Sequence, residues 1–171
     1  MFVANAQLRF VDRAGHASFF SEAPLENIEA HSKEAKSILD LKTGEIVASV
    51  PMKSFQFKKS LMQEHFNEKY VESDKFPEAV FKGKMSKFEQ IDLSQNRNHT
   101  MEVTGELTIH GVTRPLRTTA ALKVNNGTIQ GGTTFPISVE DFDIAIPRLV
   151  IKNIAEVVEV KIDFQYKPPN Q

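Results

Sequence analysis

The chain has 171 residues, with 21 Lys and Arg against 22 Asp and Glu, for a formal net charge of −1. That length suits one domain, 1–171, with a sizeable core, and the interleaved, balanced charge offers no electrostatic footprint for nucleic acid. Cysteine is absent, which excludes disulfides, thiolate metal sites and thiol nucleophiles, and no apolar run approaches the ~18 residues of a membrane-spanning helix.

In chain order, "FVANAQ" (Phe2–Gln7) comes first. Ala4 and Ala6 stand in the A-x-A spacing that signal peptidase accepts, although only Phe2 and Val3 precede them. Residues 1–6 therefore read as a signal-peptide remnant whose start lies upstream, or as a short lead into the first strand. "KTGE" (Lys42–Glu45) places glycine where a hairpin needs positive φ. Between Lys58 and Pro77, residues Leu61, Met62, His65, Phe66, Lys69 and Tyr70 recur three to four apart. This spacing predicts an amphipathic helix of about three turns that Pro77 prevents from continuing. One helix among many strands cannot be a parallel-sheet crossover, so it is expected as a flap or plug at a barrel opening.

Strict alternation follows. Met101, Val103, Leu107 and Ile109 face one way, and Glu102, Thr104, Glu106 and Thr108 the other. After a break at His110-Gly111, the residues Leu116, Thr118, Ala120, Leu122 and Val124 alternate with Arg117, Thr119, Ala121 and Lys123. The break reads as a hairpin corner, with Gly111 relieving the backbone and Pro115 beginning the returning strand. "NNGT" (Asn125–Thr128) predicts a further hairpin. Val158, Val160, Ile162, Phe164 and Tyr166 then alternate with Glu159, Lys161, Asp163 and Gln165. These are antiparallel strands with one wet face. "KPPNQ" (Lys167–Gln171) reads as a frayed tail, and no linker, repeat or second domain is visible.

Reactive constellations are scarce. The five histidines, His16, His31, His65, His99 and His110, show no metal-ligand spacing. His65 is expected as a partly covered helix residue, and His110 as a turn residue bonded through its ring to nearby backbone. Glu140, Asp141 and Asp143 could hold Ca²⁺ or raise one another's pKa, but a solvated loop explains them more simply. No nucleophile elbow or phosphate loop occurs, so no catalytic residue, metal or cofactor is assigned.

The aromatic content is thirteen Phe, two Tyr and no Trp. Phe19, Phe20, Phe55, Phe57, Phe66, Phe76, Phe81 and Phe135 sit where they could line a lumen or its mouth, joined from the helix by Met62 and Tyr70. An eight-strand barrel is wide enough either to fill with side chains or to hold one small ligand. Composition alone favours the filled core.

"GELTIHGVTRPL" (Gly105–Leu116) resembles the signature hairpin of the YceI-like family of polyisoprenoid-binding proteins. "SFFSEAPLENIEA" (Ser18–Ala30), "MQEHFNEKYVESDKFPEAVFKGK" (Met62–Lys84) and "FPISVEDFDI" (Phe135–Ile144) resemble other parts of that family in the same order. The helix region, "SLMQEHFNEKY", lacks the family's more common Arg-Asp pair ahead of a His-Leu, which marks a divergent branch. The resemblance implies an all-β fold: an antiparallel lipocalin-like barrel of about eight strands with one amphipathic helix near an opening. It also implies export to the periplasm or beyond, and a long apolar isoprenoid chain in the lumen. The expected function is a non-catalytic carrier of a quinone or polyprenyl phosphate, or failing those a fatty amphiphile, with Lys58, Lys59 and Arg114 as head-group candidates. A homodimer is compatible with this reading. Two alternatives stand beside it: a filled barrel serving protein interaction or a stress-related structural role, and a lipid head-group hydrolase near Glu140, Asp141 and Asp143.

Overall fold

The computed structural model describes residues 9–22, 27–145 and 156–168. The A-x-A segment at residues 1–6 and the end of the tail at residues 169–171 lie outside them. Among the described residues there are nine strands: β1 (Arg9–Ser21), β2 (Ile28–Asp40), β3 (Glu45–Pro51), β4 (Gln56–Phe57), β5 (Glu78–Met85), β6 (Arg97–Ile109), β7 (Val112–Asn125), β8 (Thr128–Ser138) and β9 (Val157–Tyr166). Antiparallel pairing runs β1-β9-β8-β7-β6-β5-β3-β2, and β2 pairs back onto β1. Eight strands thus close a barrel, leaving the two-residue β4 beside Ala30 and His31 of β2. Closure removes the unpaired edges that an open sheet would carry.

The turns follow from backbone chemistry. His110 and Gly111 take φ of 55° and 72°, and Asn126 and Gly127 take 50° and 78°. Two successive positive values define the type I′ turn that matches strand twist. His110 therefore shares the left-handed conformation expected of Gly111 alone. Pro115 does not begin β7, as the sequence suggested; it lies within the strand, opposite Glu106. It is tolerated because β7 pairs with β8 only from Ala120 onward, so its missing N–H faces an unpaired side. At the other terminus, Lys167 is not frayed: its backbone exchanges hydrogen bonds of 3.0 and 3.1 Å with Val11.

The helical segment is α1 (Ser60–His65), which runs on into a π-helical turn over Phe66–Tyr70. The expected helix is thus present, with a widened last turn rather than uniform α geometry. Leu61 faces away from the barrel and is 60% exposed.

The two ends of the barrel differ. At the end opposite the helix, Phe10, Val124 and Ile129 are each 1% exposed and Met101 4%. Phe88, Ile91 and Leu93 of the β5–β6 connection pack against the core from outside. Tyr166 is buried where this end meets the helix half, with its hydroxyl 2.7 Å from Ser37 Oγ, and Ser37 in turn donates to the Val47 carbonyl at 3.0 Å. Burial pushes the Tyr166 phenol above its ordinary range, so the hydroxyl stays neutral and bonded. This end is packed like an ordinary protein interior.

Stability should therefore be concentrated in the packed end. Phe10→Ala is expected to cost about 3–5 kcal/mol, the usual range for emptying a packed aromatic site. Phe66→Ala, on the half-buried helix, should cost clearly less; urea denaturation of the two variants checks the contrast.

Candidate functional site

A cavity of about 600 Å³ occupies the helix half of the barrel. Its walls are the inward faces of the strands, and its cover is α1 with the π turn. No residue of this helical segment is fully buried, because its apolar side looks onto open space.

Eight of the ten residues expected at the lumen or mouth line the cavity: Phe19, Phe55, Phe57, Met62, Phe66, Tyr70, Phe81 and Phe135. Four rings meet where the helical segment joins β1 and β4. Phe19 lies 5.1 Å from Phe55 and 5.4 Å from Phe66, and Phe57 lies 5.1 Å from Phe66, centroid to centroid. Phe20 and Phe76 are not in the lining. Alternation turns Phe20 outward, where it is 38% exposed. Phe76 packs edge-on against His110 at 4.8 Å and fills the space beside Gly111.

Glycine keeps these aromatics from closing the lumen. Gly83 and Gly105 are register partners on β5 and β6, at positions where alternation would send a side chain inward. The tip of the Phe81 ring crowds the place where a Gly83 Cβ would stand; a Gly105 Cβ would first meet the β5 backbone, at Lys82 O and the Gly83 Cα, with the ring tip at 2.8 Å. On β1, Gly15 leaves the same kind of space for the Phe164 ring. Alanines extend the effect, with Ala17, Ala35, Ala48, Ala79 and Ala120 all on the cavity wall. Sequence reasoning missed these small residues; the available signal was glycine at inward strand positions, which on β1 also marks a shift of register on either side of Gly15.

Among the described residues the lining holds no Lys, Arg, Asp or Glu. Its polar groups are hydroxyls and one imidazole, and several are already paired: Thr118 and Thr133 share a hydrogen bond of 2.7 Å. The helical segment contributes His65 and Tyr70, and burial raises the Tyr70 phenol above its ordinary pKa. Lys58 and Lys59 are exposed just ahead of α1, outside the lining. Arg114 is committed elsewhere, its Nε–H donating to the Asp141 carbonyl at 2.8 Å. Glu140 and Asp141 belong to the 3₁₀ turn Val139–Phe142, and Asp143 follows it. Among the described residues no group of three or more His, Asp and Glu is arranged to hold a metal ion.

His110 closes a clasp over this end. Its Nδ1–H donates to the Phe142 carbonyl at 3.0 Å, and its Nε2 lies 2.6 Å from Glu72 Oε2. The expected ring-to-backbone bond is therefore present, but to a residue 32 positions away. Glu72 also accepts from Lys75 at 3.0 Å. The hydrogen bond from His110, then that from Lys75, holds the Glu72 carboxyl below its ordinary range. One side chain thus ties together the β6–β7 corner, the segment after the helix and the 3₁₀ turn. Tyr70, Val71, Val139 and Ile144 of those segments line the cavity.

A YceI-like domain model matches residues 5–166. No curated protein matches the sequence. Among solved structures, a polyisoprenoid binding domain from Saccharophagus degradans implicated in plant cell wall breakdown superposes with a TM-score of 0.78 at 14% identity. It covers 95% of this chain and 99% of that one. BcnA from Burkholderia cenocepacia gives a TM-score of 0.74 at 19% identity, with coverage of 92% and 99%. A Campylobacter jejuni YceI protein gives 0.64 at 18% identity, with coverage of 84% and 86%. At these identities the likeness is one of fold.

Two outcomes follow from this geometry. A carboxyl whose folded pKa is depressed stabilises the fold above its unfolded pKa and loses that contribution as pH falls through the folded value. The melting-temperature gap between wild type and Glu72→Gln should therefore be present at neutral pH and shrink below the ordinary value of 4.5. Gly15→Ala should force the Phe164 ring off the wall, at about 1–3 kcal/mol for overpacking. A lowered urea midpoint with an unchanged slope would report it.

Proposed function

Because the chain belongs to the YceI-like domain family, we propose that its barrel binds and carries an amphiphile with a long apolar tail of polyisoprenoid type, performing no chemistry of its own. The observation that carries this reading is the cavity of about 600 Å³ lined by apolar side chains and no charged one among the described residues. Its volume falls within the ~300–1,000 Å³ typical of small-molecule sites. The similar Saccharophagus degradans domain is a polyisoprenoid binding domain, which supports the same ligand class here.

The energetics agree. Each methylene moved from water into such a lumen contributes about 0.8 kcal/mol. Ten of them give roughly 8 kcal/mol, near micromolar affinity before ordering costs. The tail supplies ample drive, so the head group decides among amphiphiles. A charged head drawn inside would find no counter-charge, and an unpaired buried charge is costly. This favours an uncharged head such as a quinone. A phosphate or carboxylate head would stay outside, on the side where the exposed Lys58 precedes α1. Export to the periplasm or beyond, suggested by Ala4 and Ala6 and by the family resemblance, would place the carrier between membranes or outside the cell. The filled-barrel alternative needs a packed interior throughout, whereas the helix half is hollow.

Native mass spectrometry of protein purified from its own host, with organic extraction of what it carries, tests the proposal. One polyisoprenoid per chain is the expected result. A bare chain whose mass does not change on incubation with a quinone, a polyprenyl phosphate or a fatty acid would overturn it.

A further inference from the structure

The cavity ends within the barrel, and its inner end can be followed strand by strand. On β7, Leu122 lines the cavity, while Val124, two residues on and facing the same way, does not. On β8 the pair is Gly131 and Ile129, and on β6 it is Val103 and Met101. Each residue on the far side is buried to 4% exposure or less. Leu39, Met85 and Tyr166 complete the cavity side of the boundary. Leu39 and Met85 are closely surrounded, at 0% and 1% exposure, and the Tyr166 hydroxyl is held by Ser37 at 2.7 Å. A Cβ on Gly131 would come 2.8 Å from Leu122 Cδ2 and 3.5 Å from the Tyr166 ring, so the floor has no slack at that point.

We infer that this floor is a ruler: Leu122, Met85 and Tyr166 set the longest apolar chain the barrel can enclose. The inference rests on the carrier reading above. A chain shorter than the lumen gains affinity with every added methylene, about fourfold each. Once the chain end meets the floor, further carbons must displace packed side chains or remain in water, and the gain stops. One layer of inward residues spans two strand positions. With the strand tilt of an eight-stranded barrel this is about 5 Å of depth, or about one isoprene unit. The floor is assembled from residues widely separated in sequence and contains no chemically distinctive group, so no short motif announces it.

The test is a chain-length series of all-trans prenyl alcohols competing against a bound fluorescent polyene fatty acid. Wild type, Leu122→Ala, Ala120→Leu and Met62→Ala are compared, each checked for folding by circular dichroism. Wild-type affinity should rise with length and then level off. Leu122→Ala should move that plateau about one isoprene unit longer, with tenfold or more tighter binding of the first chain beyond the wild-type limit. Ala120→Leu should move it shorter, and it remains informative if Leu122→Ala does not fold. Met62→Ala, at the mouth, should change affinity for all lengths alike without moving the plateau. A plateau at the same length in all folded variants, or wild-type affinity that rises without one, would overturn the ruler. Silence of the whole series against a bound, displaceable polyene would overturn the isoprenoid reading instead.

Discussion

Aromatic rings set against glycines are the constraint on which the rest of this barrel depends. A chain with thirteen Phe and no Trp has ample bulk to fill an eight-stranded interior, and close packing is the default for apolar side chains. Here Phe81 lies over the Gly83–Gly105 pair and Phe164 over Gly15. Each ring uses volume that a Cβ would otherwise take, so it counts as wall rather than plug. The same aromatic content that could fill a core lines a tube instead.

The hollow half lacks interior contacts, and the fold compensates at its two boundaries. At one, Phe10, Ile129 and Met101 belong to a conventional packed core. At the other, polar contacts take over from packing: His110 joins the Phe142 carbonyl to Glu72, and Arg114 holds the Asp141 carbonyl. Directional bonds suit this end, because the helical segment has no filled interior against which to bury its apolar side. That side stays half-exposed toward the lumen, where an apolar chain would complete its burial. The same arrangement accounts for the absence of charge along the described lining, since charges sit in the rim contacts and on the outer surface.

The β architecture was legible because period two is a strong local signal. Residues 101–109, 116–124 and 158–166 each carry it without ambiguity, and the Asn-Gly and His-Gly corners carry turn chemistry of their own. The helix was legible from its spacing, although its π-helical end was not, since widening by one residue per turn leaves no mark on an apolar stripe. Pro115 misled because a proline inside a strand normally argues against that strand. Only the register shows that β7 lacks a partner on one side there.

Local sequence determined which segments are strands, where the chain turns and which faces are apolar, because backbone sterics and side-chain alternation act over two to four residues. It also located most of the aromatics that reach the cavity. Whether the barrel would be hollow was decided by tertiary structure alone. That outcome depends on Gly15 meeting Phe164 from the far end of the chain, and on Leu122, Met85 and Tyr166 converging from three strands to form one floor. The His110 clasp is likewise tertiary, joining residues 38 and 32 positions apart. Such contacts follow from barrel closure and register, which no stretch of sequence contains by itself.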